Sequence, residues 1–273
     1  MSASILTFDD SARDNTFQGF INGWTRMNEE FAAYLDGKSV AIVGRADLDS
    51  LEQGDKIDSY DVVVRMHHPL PYVPKDSPYF PVEHEYNGFN FNYPEHWKKR
   101  IGARTDIFYL SDLEDDSVAL AAKDLDNMKP IRYVCCEQDC NMFLAAQLAE
   151  QRFVRFITHG HVSCCTNLLG SVPLKGTSII CDILKHGVEK VYLTGFPCWI
   201  GNDGRIKPEW KPMPGVKPWN DFNFLKKLSY HERVEVDPLM QVQFSKFGVW
   251  LDRSRSEGEV FSALPHSIGG TVS

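Results

Sequence analysis

An α/β fold with a largely parallel sheet is what this 273-residue chain predicts, on three observations. Short apolar runs recur along it, segments with helical spacing lie between them, and several runs end abruptly at glycine or at a polar residue. Strand and helix therefore alternate, as in βαβ units. With 43% hydrophobic residues the chain can bury a full core, and one domain over 1–273 is expected. Within it we expect a core over 36–200, an irregular loop or lid over 69–97 and a C-terminal segment over 201–273.

The elements follow in order. Thr16 to Leu35 places Phe17, Phe20, Ile21, Trp24, Met27, Phe31 and Leu35 near helical spacing, which predicts a helix before the first strand. Val40 to Val43 is a buried-strand run ending at Gly44, where a chain can turn and bring backbone amides close to a ligand. An acidic connector leads to a second run, Val62 to Val64, which ends in Arg65, His67 and His68. Two strands with polar carboxyl ends are what an open α/β sheet offers to a nucleotide. Pro69 to Pro94 holds six prolines and several aromatics, which predicts an irregular excursion over a site. Thr105 to Leu110, Ile131 to Cys135 and Val154 to Ile157 read as strands, with a helix over Asn141 to Glu150. Thr177 to His186 reads as a helix stopped near Gly187, and Val191 to Thr194 as the strand before Gly195.

Composition narrows the function classes. The first residues lack a basic region followed by an apolar run, and no apolar stretch approaches the length of a membrane span, so a soluble, cytoplasmic protein is expected. Seven cysteines, with adjacent pairs at Cys135-Cys136 and Cys164-Cys165, do not resemble a secreted disulfide framework. A net charge of −8 disfavours a long polyanion as partner, although a local basic patch would survive in an acidic whole.

A second site candidate is Pro173-Leu174-Lys175-Gly176-Thr177-Ser178. Glycine followed by Thr and Ser at a helix start offers backbone amides and hydroxyls to a phosphate, and Lys175 adds charge. An ordinary capped helix would show the same residues.

Together the two segments resemble the large and small sialyl motifs of glycosyltransferase family 29, the sialyltransferases, with their bacterial and viral relatives. The first motif is matched by AIVGR and GDKIDSYDVVVRMH, covering Gly44, Gly54, Ile57, Asp58, Asp61 and Arg65; the second is matched by Pro173-Leu-Lys-Gly176, a helix, and VYLTGF ending at Gly195 and Phe196. GARTD at Gly102 to Asp106 resembles the segment between them. The resemblance covers about Ser39 to Asn223. It implies a Rossmann-like, mostly parallel sheet flanked by helices, a variant of the GT-A type, and inverting transfer of a sugar from a nucleotide-activated donor to an acceptor hydroxyl. By the same analogy Gly44, Arg45, Ala46, Arg65, His67, Pro173, Lys175, Gly176, Thr177 and Ser178 would line the donor site. No cofactor beyond the donor and no metal is implied.

The departures bear on the donor. The family's two cytidine-monophosphate-binding asparagines fall on Arg45 and His67, and its small-motif Ser and Thr on Leu174 and Lys175. An amide both donates and accepts, whereas Arg only donates and favours phosphate or carboxylate. The family's cysteines joining the motifs fall on Val40 and about His186, so that disulfide cannot form. The family's catalytic His falls near Pro218 and its Glu near Asn223. That leaves Asp221 as a carboxylate base, or His231 displaced by about a dozen positions, as candidates for the general base; a helix cap or solvated charge is the alternative for Asp221, and a surface histidine at a helix end for His231.

Weaker constellations are CCEQDC and HGHVSCC, whose metal-capable side chains lack the spacing of a structural zinc site and fit buried thiols. His159 and His161 precede the small motif. The aromatics Tyr72, Tyr79, Phe80, Tyr86, Phe89, Phe91, Tyr93 and Trp97 would suit stacking on a sugar or base, or packing among themselves. The expected function is a glycosyltransferase using a cytidine-monophosphate-linked acidic keto-sugar such as sialic acid. A uridine-diphosphate sugar is the rival donor. The acceptor would be a glycan, a lipid-linked sugar or modified bases of viral DNA, and the alternative class is a catalytically inactive nucleotide- or glycan-binding module.

Overall fold

The computed structural model describes residues 28–46, 52–66, 95–110, 131–137, 153–157, 159–208 and 212–247. Residues 16–27, the proline-rich stretch 69–94, the expected helix over 141–150, and His67 with His68 lie outside these.

Seven strands form one sheet: β1 (Ser39–Val43), β2 (Val62–Met66), β3 (Ile107–Leu110), β4 (Tyr133–Glu137), β5 (Phe153–Ile157), β6 (Lys190–Thr194) and β7 (Val234–Val236). Their order is β5-β4-β3-β2-β1-β6-β7, and every pairing is parallel. The chain is thus of the α/β class. A parallel sheet covered on both faces needs apolar side chains pointing both ways, which is why its strands read as unbroken runs such as VAIV and not as alternations. All five residues of β2 are buried, Arg65 included.

The helices are residues 28–35 (α1), α2 (Gly54–Asp58), α3 (Glu95–Ile101), α4 (His159–Leu169), α5 (Lys175–Leu184), α6 (Pro218–Leu228) and α7 (Pro238–Lys246). Alternation along the strands sorts them. Ile42, Val64, Ile107, Tyr109 and Leu193 join one core with Phe31 and Leu35 of α1, Ile179, Ile180 and Ile183 of α5, Phe222 and Leu225 of α6, and Met240 and Phe244 of α7. The intervening residues face α2 and α3: the Tyr192 hydroxyl donates to Gln53 Oε1 beside α2, and Arg65 donates to carbonyls at the end of α3.

The strands stand close to the expected positions, with β3 shortened at its start. Thr105 precedes it because its hydroxyl accepts from Arg65, and the Asp106 carboxylate accepts from the Val63 amide. The helix expected from Thr177 begins two residues earlier, at Lys175. The short helices α2 and α3, the longer α4, α6 and α7, and strand β7 were not anticipated. The C-terminal segment is not separate from the core, because residues 234–236 extend the same sheet as β7.

An ionic network joins α5 to the face of the sheet it covers. Asp182 of α5, fully buried, accepts from both Nη atoms of Arg155 on β5, from the Tyr109 hydroxyl on β3 at 2.6 Å and from Lys185 at 3.0 Å. Burial pushes its carboxyl up, but Arg155 and Lys185 outweigh this and hold it well below the usual range. Breaking such a pair costs about 3–5 kcal/mol, so it ties α5 firmly to the sheet. The six described cysteines are all free thiols. Among the described residues no helix is long and apolar enough to cross a membrane.

Candidate functional site

The strand order reverses around β1: β2 to β5 lie on one side of it, and β6 and β7 on the other. At such a reversal the connections leave in opposite directions and open a crevice outside the carboxyl ends of the two central strands. Here those strands are β1 and β6, ending at Gly44 and Gly195. The start of α5 reaches the same place. A Cβ built on Gly176 would lie 3.0 Å from the Phe196 ring and 3.6 Å from the Met66 sulfur, and one on Gly44 would lie 3.0 Å from the same ring atom, Phe196 Cε1.

The two glycine turns do different work. A Cβ on Gly44 would lie 2.3 Å from the Gly195 carbonyl oxygen, so glycine is required there by strand-end packing. The Gly44 amide donates to Thr194 O at 2.8 Å and the Ala46 amide to Gly195 O at 3.2 Å. The Gly44 and Ala46 amides, which the turn was expected to bring close to a ligand, are therefore engaged by the end of β6. Gly195 is fixed in turn by Asp237, buried at the start of α7, which accepts its amide at 2.9 Å and that of Met240 at 2.8 Å. Asp237 was missed in the sequence, although Asp before Pro is an N-cap signature.

At the start of α5 the situation reverses. Leu174 is an extended N-cap residue without a side-chain cap, and Ser178 donates to its carbonyl. The amides of Gly176 and Thr177, at the second and third helical positions, have no backbone acceptor among the described residues. Lys175 and Gly176 are half-buried at the rim, and Pro173 is buried behind them. The hydroxyls are not offered to a ligand. Thr177 and Ser178 are each 1% exposed; Thr177 turns to Asp221, and the Ser178 carbonyl accepts from His161 Nε2 at 2.9 Å.

The two arginines separate. Arg65 faces the sheet side opposite α5. Its Nε donates to Arg104 O and Thr105 Oγ1, and its Nη2 to Ile101 O and Gly102 O, so it caps the carboxyl end of α3 and lies outside the α5 group. Arg45, two residues past β1, is half-buried. Its Nε is sealed from solvent with no hydrogen-bond partner, and burial alone lowers its pKa, with no carboxylate beside it among the described residues. His67 lies outside the described residues.

Of the two candidate bases, Asp221 is at the site and His231 is not. Asp221 lies in the first turn of α6, fully buried, and its Oδ1 accepts the Leu174 amide at 2.8 Å. Burial pushes its carboxyl up to about 7, against hydrogen bonds from Thr177 and Leu174. It therefore holds the entry to α5 and is closed to solvent. His231 sits in the turn before β7, at the amino edge of the sheet, where its Nδ1 accepts the Arg233 amide at 3.2 Å. Parallel strands put that turn at the edge opposite Gly44 and Gly176, which removes His231 from the site.

Behind α5, His161 Nε2 lies 3.4 Å from Cys165 Sγ, with both residues wholly buried. A hydrogen bond from Cys181 and then one from His161 pull the Cys165 thiol down. Its burial leaves it no route to a substrate. Among the described residues no group of three or more His, Cys, Asp or Glu is placed to hold a metal ion.

The site thus brings the Gly44 turn, followed by Arg45 with no carboxylate beside it among the described residues, to the start of α5, where Lys175 is half-buried and the Gly176 and Thr177 amides have no backbone acceptor among those residues. No model of a known protein family matches this chain, and no characterised protein matches it in sequence.

Proposed function

We propose that the chain is a glycosyltransferase of sialyltransferase-like, Rossmann-like fold. In this reading it binds a nucleotide-activated sugar where β1, β6 and α5 meet, and passes the sugar to an acceptor hydroxyl with inversion. The observation that carries this is Arg45, whose buried Nε has no hydrogen-bond partner and no carboxylate beside it among the described residues, one residue past Gly44, which packs on the same Phe196 ring as Gly176 at the start of α5. A half-buried guanidinium whose sealed Nε meets no acceptor among the described residues is costly, and an anionic ligand would lower the cost. The helix dipole favours the same charge.

In this reading Arg45, Lys175 and the amides of Gly176 and Thr177 hold the donor phosphate and stabilise it as it leaves. Asp221 fixes their geometry through the Leu174 amide. The family-type donor is cytidine-monophosphate-linked; Arg45 in place of an asparagine equally suits a uridine diphosphate, whose charge is larger. A second reading, a nucleotide-binding module without transfer, is favoured by one observation. Neither candidate base reaches the rim: Asp221 is sealed and His231 lies at the other edge.

Thermal denaturation with cytidine, uridine and guanosine mono- and diphosphates tests the nucleotide site. A ligand at a hundredfold its Kd stabilises the folded state by about 2.7 kcal/mol, so one of these should raise Tm by several degrees. No shift with any of them removes the nucleotide reading. Hydrolysis or transfer of the matching nucleotide sugar then separates enzyme from binding module.

A further inference from the structure

Between β6 and α6 the chain builds a rim that the donor site does not use. Cys198 and Trp199 are consecutive non-glycine residues with positive φ, 50° and 61°. Bulky residues avoid this conformation, so its presence marks a segment held for a purpose other than ease of folding. The surroundings fix it. Lys207 donates to Trp199 O at 2.8 Å, Gly201 to Arg205 O at 2.8 Å, and Ile200 bridges Ile206. Lys246 donates to Asn202 O, and Gly204 sits on the Phe247 ring, which seats the loop on α7. The next stretch returns to α5: Val172 donates to Gly215 O at 2.9 Å and bridges Val216.

This fixed backbone carries apolar side chains outward. Trp199 is 41%, Ile206 40%, Met213 48% and Val172 37% exposed. Cations are interleaved with them: Arg205 and Lys207 flank Ile206 and Lys217 precedes α6, against Asp203, whose carboxylate lies 4.0 Å from Arg205 Nε, within a chain of net charge −8. Arg205 has a side chain 88% exposed.

We propose that this rim, with Trp199, Ile206, Met213 and Val172 flanked by Arg205 and Lys207, docks the protein on an anionic membrane surface. An interfacial site needs aromatic and aliphatic groups to enter the headgroup region and cations to meet its charge, and both are here: Trp199, Arg205, Ile206 and Lys207 on the pinned loop, Met213 on the stretch leading to α6, and Val172 bonded to that stretch. A single-stranded nucleic acid would use the cations and the indole, but it offers nothing to three exposed aliphatic side chains. Docking would bring the crevice beside α5 to a lipid-borne hydroxyl. The inference stands on the rim alone and does not require the nucleotide reading.

Co-sedimentation of the full chain with vesicles tests it. The protein should pellet with phosphatidylcholine vesicles containing a third phosphatidylglycerol, and much less with phosphatidylcholine alone or at high salt. Arg205→Glu with Lys207→Glu should weaken binding by about tenfold or more. Trp199→Ala with Ile206→Ser should weaken it comparably, and Tm in both variants should stay near the parent's. Failure to pellet with either vesicle overturns the proposal. So does pelleting that ignores both variants, or the same variant dependence seen with a single-stranded oligonucleotide and not with vesicles. Nucleotide-induced shifts in Tm, measured in parallel, report on the donor site separately.

Discussion

Arg45 and Arg65 stand near the ends of neighbouring strands, and their surroundings are opposite. Arg65 pairs in register with Val43, points to the α3 side and donates to three main-chain carbonyls and a hydroxyl there. Arg45 comes two residues after Val43, past the end of β1, with a buried Nε that meets no acceptor among the described residues. The first arginine completes the fold, and the second is a charge the fold leaves uncompensated among the described residues. The difference teaches where a ligand's charge would act: at Arg45, not at Arg65.

The largest effect is expected from Arg65. Arg65→Met removes donors from the Ile101, Gly102 and Arg104 carbonyls, and the orphaned groups should lower stability by about 3 kcal/mol or more in chemical denaturation. Nucleotide affinity of the fraction that remains folded should not change. A loss of affinity without a loss of stability would reverse the two roles.

Asp221 comes next, through pH. Its folded pKa of about 7 lies above the ordinary carboxylate value, so the native state holds a proton that the unfolded chain releases. Stability from this group is therefore present at low pH and declines as pH rises from about 4 to about 7, by a few kcal/mol at most. Asp221→Asn should flatten that decline in denaturation profiles compared with the parent. An unchanged profile would mean that the carboxyl ionises normally. His231→Ala, at the opposite edge, is expected to leave nucleotide affinity unchanged, the smallest effect of the set.

Much of the sheet was legible because burial on both faces writes each strand as an apolar run: VAIV, VVV and VYLT fell on β1, β2 and β6. The reversal at β1 was not, since it depends on which run pairs with which. Helix α4 was hidden because HGHVSCCTNLL mixes small, polar and thiol side chains whose burial is set by α5. The glycine positions were legible, but their use was not. Gly44 and Gly176 look alike in sequence; in space one turn has its amides taken by β6, and the other meets no such strand. Arg65's fate hung on α3, more than thirty residues away, and that of Thr177 and Ser178 on which side of α5 met Asp221 and His161.

The central claim is that Arg45 and the start of α5 bind the phosphate of a nucleotide. Calorimetric titration of the best nucleotide from the thermal screen into the parent and Arg45→Ala proteins tests it most directly. The account predicts binding to the parent and at least about tenfold weaker binding to Arg45→Ala, as for loss of one charge-assisted hydrogen bond, with Tm unchanged or raised. Equal affinity in the two proteins would contradict it.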